Sequence, residues 1–153
     1  MPESQTRSLT EHFSLGEFLV SQTAARYGIP NDPTTEVLAN LKKTAALMEQ
    51  VRTLLGDKPI FISSGYRSHD LNQAIGGAAN SAHVFGQAAD FICPSFGSVR
   101  DICLKIAESD LIYDQLIREF DNGVSGWCHI AWRDNPRRQN LTIDSGGTRI
   151  GIE

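Results

Sequence analysis

Hydrophobic positions change their period along the chain, and the change marks out the elements. Val37, Leu41, Met48, Val51 and Leu55 recur at near-helical spacing, which predicts a long amphipathic helix with one face on the core. Asp32-Pro33 opens it with a cap oxygen and a proline at the first helical position, and Gly56 ends it. Upstream, Ser14-x-x-Glu17 reads as a capping box for a helix that runs to about Tyr27, where Gly28 and Pro30 break it. Downstream, the apolar runs shorten. Ile60 to Ser63, Ala88 to Ile92, Asp114 to Phe120, Trp127 to Trp132 and Leu141 to Ile143 read as strands, with a helix from Ser98 to Ser109. Between Gly65 and Gly86 the chain is rich in Gly, Ser, Asn and Ala. This stretch predicts a long functional loop around one short helix, about Ser68 to Ile75. Helices first and strands last is the pattern of an α+β domain with a small antiparallel sheet. No repeat or linker interrupts the pattern, so residues 1–153 are expected to form one domain.

Composition narrows the class. With 153 residues, 41% of them hydrophobic and 21% charged, the chain can bury a core without disulfides. A net charge of −4 gives no basic footprint for nucleic acid. The most basic stretch, Arg133, Arg137 and Arg138, reads as a solvated loop. Cys93, Cys103 and Cys128 are odd in number and lack a paired motif, so no disulfide framework is expected, and folding in a reducing cytoplasm is. Met1 to Thr10 is polar with no apolar core, which predicts no signal peptide. No apolar run approaches a membrane span, so no membrane insertion is expected.

Candidate chemistry lies in three segments. In Ser81-Ala82-His83-Val84-Phe85-Gly86-Gln87-Ala88-Ala89-Asp90, a histidine in the Gly-rich loop stands seven positions before an aspartate on the following strand. Asp90 faces inward among small and apolar neighbours, and a buried carboxylate needs a partner such as a metal ion. In Trp127-Cys128-His129-Ile130-Ala131-Trp132, strand alternation puts Trp127, His129 and Ala131 on one face. His129 is either a ligand or a satisfied core histidine. Cys128 takes the opposite face and is assigned to the core. Two histidines and one carboxylate suit zinc and leave a fourth position for water, as in catalytic sites. A hydrolase then needs a general base. Glu119, ten residues before His129 on the expected neighbouring strand, is either that base or a solvated strand-end carboxylate. In Ser63-Ser64-Gly65-Tyr66-Arg67-Ser68, Arg67 either binds a carboxylate or oxyanion, or is an exposed loop residue.

Taken in order, these pieces resemble a known family. The run Ser64-Gly65-Tyr66-Arg67-Ser68, then Leu71-Asn72, Ile75-Gly76-Gly77-Ala78, Ser81-x-His83-x-x-Gly86-x-Ala88-x-Asp90 and Trp127-x-His129 is similar to the zinc D-alanyl-D-alanine carboxypeptidases. That family includes the L-alanyl-D-glutamate endopeptidases of phage endolysins. The lead-in from Leu9 to Phe18 also resembles the carboxypeptidase-like branch, and the likeness covers about residues 9 to 145. It implies the α+β fold these peptidases share with the Hedgehog signalling domain. It also implies zinc held by His83, Asp90 and His129, Arg67 on the substrate or tetrahedral intermediate, and Ser81 lining the site. The implied substrate is a peptidoglycan stem peptide containing D-amino acids, cut at the bacterial wall; separately, the protein is expected to be a monomer. Without a signal peptide, delivery by a phage is the favoured route.

The sequence departs from the family in one respect. Some relatives carry an acidic base three residues before the last histidine ligand, and others a histidine five residues before it; here those positions are Gly126 and Val124. The base is then expected at Glu119, and a catalytically silent wall-binding or phage-tail module is the alternative. His69, where many relatives have proline, is expected on the loop surface. His12 is expected to serve as a packing or cap residue.

Overall fold

The computed structural model describes residues 7–153. Residues 1–6 of the polar N-terminal stretch, on which the expectation of no signal peptide partly rests, lie outside the described residues. Elements follow in the order α1 (Leu15–Leu19), α2 (Gln22–Tyr27), α3 (Thr35–Leu54), β1 (Phe61–Ser64), α4 (His69–Ala74), a 3-10 turn (Ala82–Phe85), β2 (Ala88–Ile92), α5 (Val99–Ala107), β3 (Gln115–Glu119), β4 (Trp127–Ala131), β5 (Gln139–Asp144) and β6 (Gly147–Ile150). This is the expected α+β class. The six strands order as β1-β2-β4-β3-β5-β6. The sheet is not wholly antiparallel as expected: β3 pairs β4 antiparallel but runs parallel to β5.

The chain divides into two compact units, and the division falls inside α3, β1 and β2. One unit comprises the chain as far as Glu49 together with Ile62–Ala89. Its core gathers Phe13, Leu15, Phe18, Leu41, Met48, Leu71 and Val84, all buried. The capping box forms as expected, with the Ser14 backbone N–H donating to Glu17 Oε2 at 2.7 Å. The single helix expected from Ser14 to Tyr27 is two, because Val20 turns extended and the Ser21 side chain caps a new start by accepting from the Ala24 N–H. α3 begins two residues past Pro33, with Thr34 Oγ1 accepting from the Val37 N–H. Asn31 Nδ2 donates to the carbonyls of Leu19 and Tyr66, while its Oδ1 accepts from the Ser68 N–H, so one side chain ties three segments. His12 bonds Glu49 through both its backbone N–H and its ring Nδ1. His69 is exposed, at the first position of α4 rather than in loop.

The other unit comprises Gln50–Phe61 and Asp90–Glu153. α5 opens on a Ser98/Asp101 capping box and packs Ile102, Cys103 and Ile106 against β3 and β4. Cys93, Cys103 and Cys128 are unbridged thiols, all buried. The arginine cluster is exposed but engaged, not merely solvated. Arg137 forks onto the buried Asp114 at 2.9 and 2.8 Å, and Arg133 reaches the same carboxylate at 3.1 Å. Arg138 bonds the carbonyls of Ala107, Ser109 and Leu111 at the end of α5 and lies over the Tyr113 ring. These arginines therefore neutralise a buried acid and a helix C-terminus. Among the described residues, no helix is long and apolar enough to cross a membrane.

Candidate active site

His83 sits in the 3-10 turn that ends the Gly-rich loop. Ser81 caps this turn, its Oγ accepting from the His83 N–H at 3.3 Å, and Gly86 closes it in a left-handed conformation at φ 72°. The His83 ring Nδ1 lies 2.7 Å from the Gly65 carbonyl oxygen. A carbonyl only accepts, so Nδ1 carries the proton and Nε2 is the nitrogen with a lone pair. A backbone carbonyl fixing the tautomer in this way is the usual support of a metal-binding imidazole. Gly65 can hold that place only as glycine, because an added Cβ would lie 2.7 Å from both the Cα and the carbonyl oxygen of Phe18.

Strand register assembles the acidic side of the site. β2 and β4 are sheet neighbours, carrying Asp90 and His129. His129 Nδ1 lies 2.9 Å from Asp90 Oδ1 and 3.7 Å from Glu119 Oε1. In β3, Glu119 stands opposite Trp127 and Ile117 opposite His129, so Glu119 shares the histidine face as expected. Cys128 is fully buried on the other face. Burial, with Cys103 beside it, pushes the Cys128 thiol well up, away from the thiolate a metal would need.

His83, Asp90 and His129, exposed by only 2%, 7% and 6%, each offer one ligand atom, and these atoms lie within 4.8 Å of one another. Two imidazole nitrogens and one carboxylate oxygen brought this close fit a divalent transition metal such as zinc. Arg67 is half-buried at the start of the same loop. Its Nη2 donates to Ser81 Oγ at 3.3 Å, and its backbone N–H donates to the His83 carbonyl. The two residues expected to bind substrate therefore touch each other next to His83.

The position three residues before His129 is closed to any side chain. Gly126 has φ 108°, and a Cβ there would lie 2.5 Å from Asp121 Cα. Val124 is almost wholly exposed. Neither expected family position supplies a base, whereas Glu119 reaches the His129 edge from the neighbouring strand. Sequence reasoning missed the Gly65 carbonyl, since a backbone acceptor has no residue signature. The only trace was the glycine itself.

Comparison with known proteins agrees with this picture. Over 59 residues the chain is 42% identical to a zinc D-Ala-D-Ala carboxypeptidase of Streptomyces albus G. That match covers 39% of this chain and 23% of the length of the relative. The family model described as Peptidase M15 matches residues 11–130, a span that holds all three candidate ligands and Glu119. The chain belongs to the Peptidase M15 family.

Proposed function

We propose that the protein is a zinc peptidase that hydrolyses peptide bonds in bacterial peptidoglycan stem peptides, with the metal held by His83, Asp90 and His129. The observation that carries this reading is the buried set of two imidazoles and one carboxylate, with ligand atoms within 4.8 Å of one another, in a Peptidase M15 chain. When bound, zinc supplies a Lewis acid that polarises the scissile carbonyl and makes water acidic at neutral pH. Glu119 accepts the proton of the attacking water on a carboxylate oxygen and returns it to the leaving amine. Arg67, held against Ser81, presents a guanidinium to a substrate carboxylate or to the oxyanion, where its fixed charge favours the transition state. Ser81 lines the site while capping the turn that carries His83.

Two cuts fit this chemistry: removal of a terminal D-alanine, as in the name of the Streptomyces albus G relative, and cleavage of an internal L-Ala–D-Glu bond, the work of a phage-delivered endolysin. Digestion of purified peptidoglycan with and without chelator, with the products read by mass spectrometry, tests the reading and identifies the bond. Chelator-sensitive release of new termini is the expected result. A zinc-loaded protein that binds wall peptide without releasing termini would instead be a silent wall-binding module, the reading that Gly126 and Val124 favour.

A further inference from the structure

We propose that Trp127 is a substrate-binding residue whose indole N–H donates to a carbonyl or carboxylate oxygen of the peptide held beside Glu119. The inference rests on the peptidase reading above and extends it to a residue that reading leaves unused.

Trp127 is directly opposite Glu119 in the β3–β4 register and two positions from His129 on the same strand face. Its neighbours on that face are thus the candidate base and a candidate metal ligand. Its Nε1 is buried and has no hydrogen-bond partner among the described residues. A buried N–H without an acceptor is costly, so native proteins seldom keep one without a use for it. The ring itself is secured: Phe120 lies against it with centroids 5.7 Å apart, in a tilted pair. Phe120 is held at φ 50°, and the following turn is tied by Asp121 and Asn122 side chains that accept from the Gly123, Val124 and Ser125 N–H groups. The ring is therefore held in place, and because Nε1 has no exposed surface, a side chain beside it must shift to admit the substrate's oxygen. Peptide substrates offer such oxygens at every residue.

The test is nuclear magnetic resonance on the zinc-loaded, nitrogen-15-labelled protein, titrated with soluble muropeptides released from peptidoglycan by a muramidase. The chain has two tryptophans, so two indole N–H signals appear, and Trp127→Phe assigns one by its loss. The expected result is a saturable downfield shift of the Trp127 signal. In steady-state cleavage, Trp127→Phe, which keeps an aromatic ring against Phe120, should raise KM about tenfold and leave kcat within about twofold, the mark of lost uniform binding. Zinc content and melting temperature should stay at the wild-type values, whereas a merely structural tryptophan would lower them. If cleavage proceeds while the Trp127 signal stays still and the KM of Trp127→Phe is unchanged, the inference is overturned and the peptidase reading stands. If the zinc-loaded protein neither binds nor cleaves muropeptides, both fall.

Discussion

The Gly65–Gly86 loop and the β3–β4 strand pair build their parts of the site by different physics. The loop places His83 with backbone: the Gly65 carbonyl fixes the ring, Arg67 N–H donates to the His83 carbonyl, and Ser81 caps the turn. The strand pair places His129 and Glu119 by register, with side chains stacked across a ladder. A loop built this way tolerates almost no added volume at Gly65 or Gly77. A ladder tolerates side-chain exchange but not a slip of one residue, which would turn each functional group to the opposite face.

The largest expected effect tests the strand side. Glu119→Gln keeps the shape of the side chain and removes its basicity; cleavage of muropeptides should fall about 10²–10⁴-fold with zinc still bound. Loss of zinc instead, read by metal analysis, would recast Glu119 as part of the metal's support. Next, on the loop side, Gly65→Ala forces a Cβ to within 2.7 Å of Phe18 backbone atoms and should cost about 3 kcal/mol in denaturant unfolding. A cost under about 1 kcal/mol would mean the loop gives way more readily than its hydrogen bonding suggests.

Arg137→Ala examines how the strand side is anchored where the chain enters β3. Arg137 is the main reason the Asp114 carboxyl is held below the usual range, with its own backbone N–H and Arg133 adding to the effect. A group with a lowered folded pKa stabilises the fold above its unfolded value, about 3.9, and loses that stabilisation as pH falls through the folded value. The variant should therefore lose about 2 kcal/mol at neutral pH, and its gap from wild type should close as the solution becomes strongly acidic. A gap independent of pH would assign the loss to packing of the arginine stem. The smallest effect is expected for Ser81→Ala, which removes the cap of the His83 turn and should cost about 1 kcal/mol in melting experiments.

The same contrast explains what could be read from the chain. The grouping of His83, Asp90 and His129 was legible because side-chain chemistry at fixed spacing writes itself into residue types, and the placement of Glu119 on the His129 face was legible because alternation fixes faces. β6 escaped notice because Gly147–Ile150 is largely exposed and has no apolar alternation. The parallel β3–β5 pairing escaped because strands close in sequence are presumed to form hairpins, whereas β5 makes its hairpin with β6 instead. The break at Val20 had a signal, Ser21, whose capping role is plain only once the preceding residue is seen extended. Arg133 and Arg137 read as solvated because charge and loop position do not reveal a buried aspartate 19 and 23 residues upstream.

Gly126 has a bearing on protein engineering and on ancestry. With its backbone wrapped against Asp121 and Phe120 at φ 108°, that site is a one-way door. Grafting the acid of other relatives by a single Gly126→Glu exchange would wreck the hairpin before it could add a catalyst. A lineage or designer wishing to place an acid there must first rebuild residues 120–126.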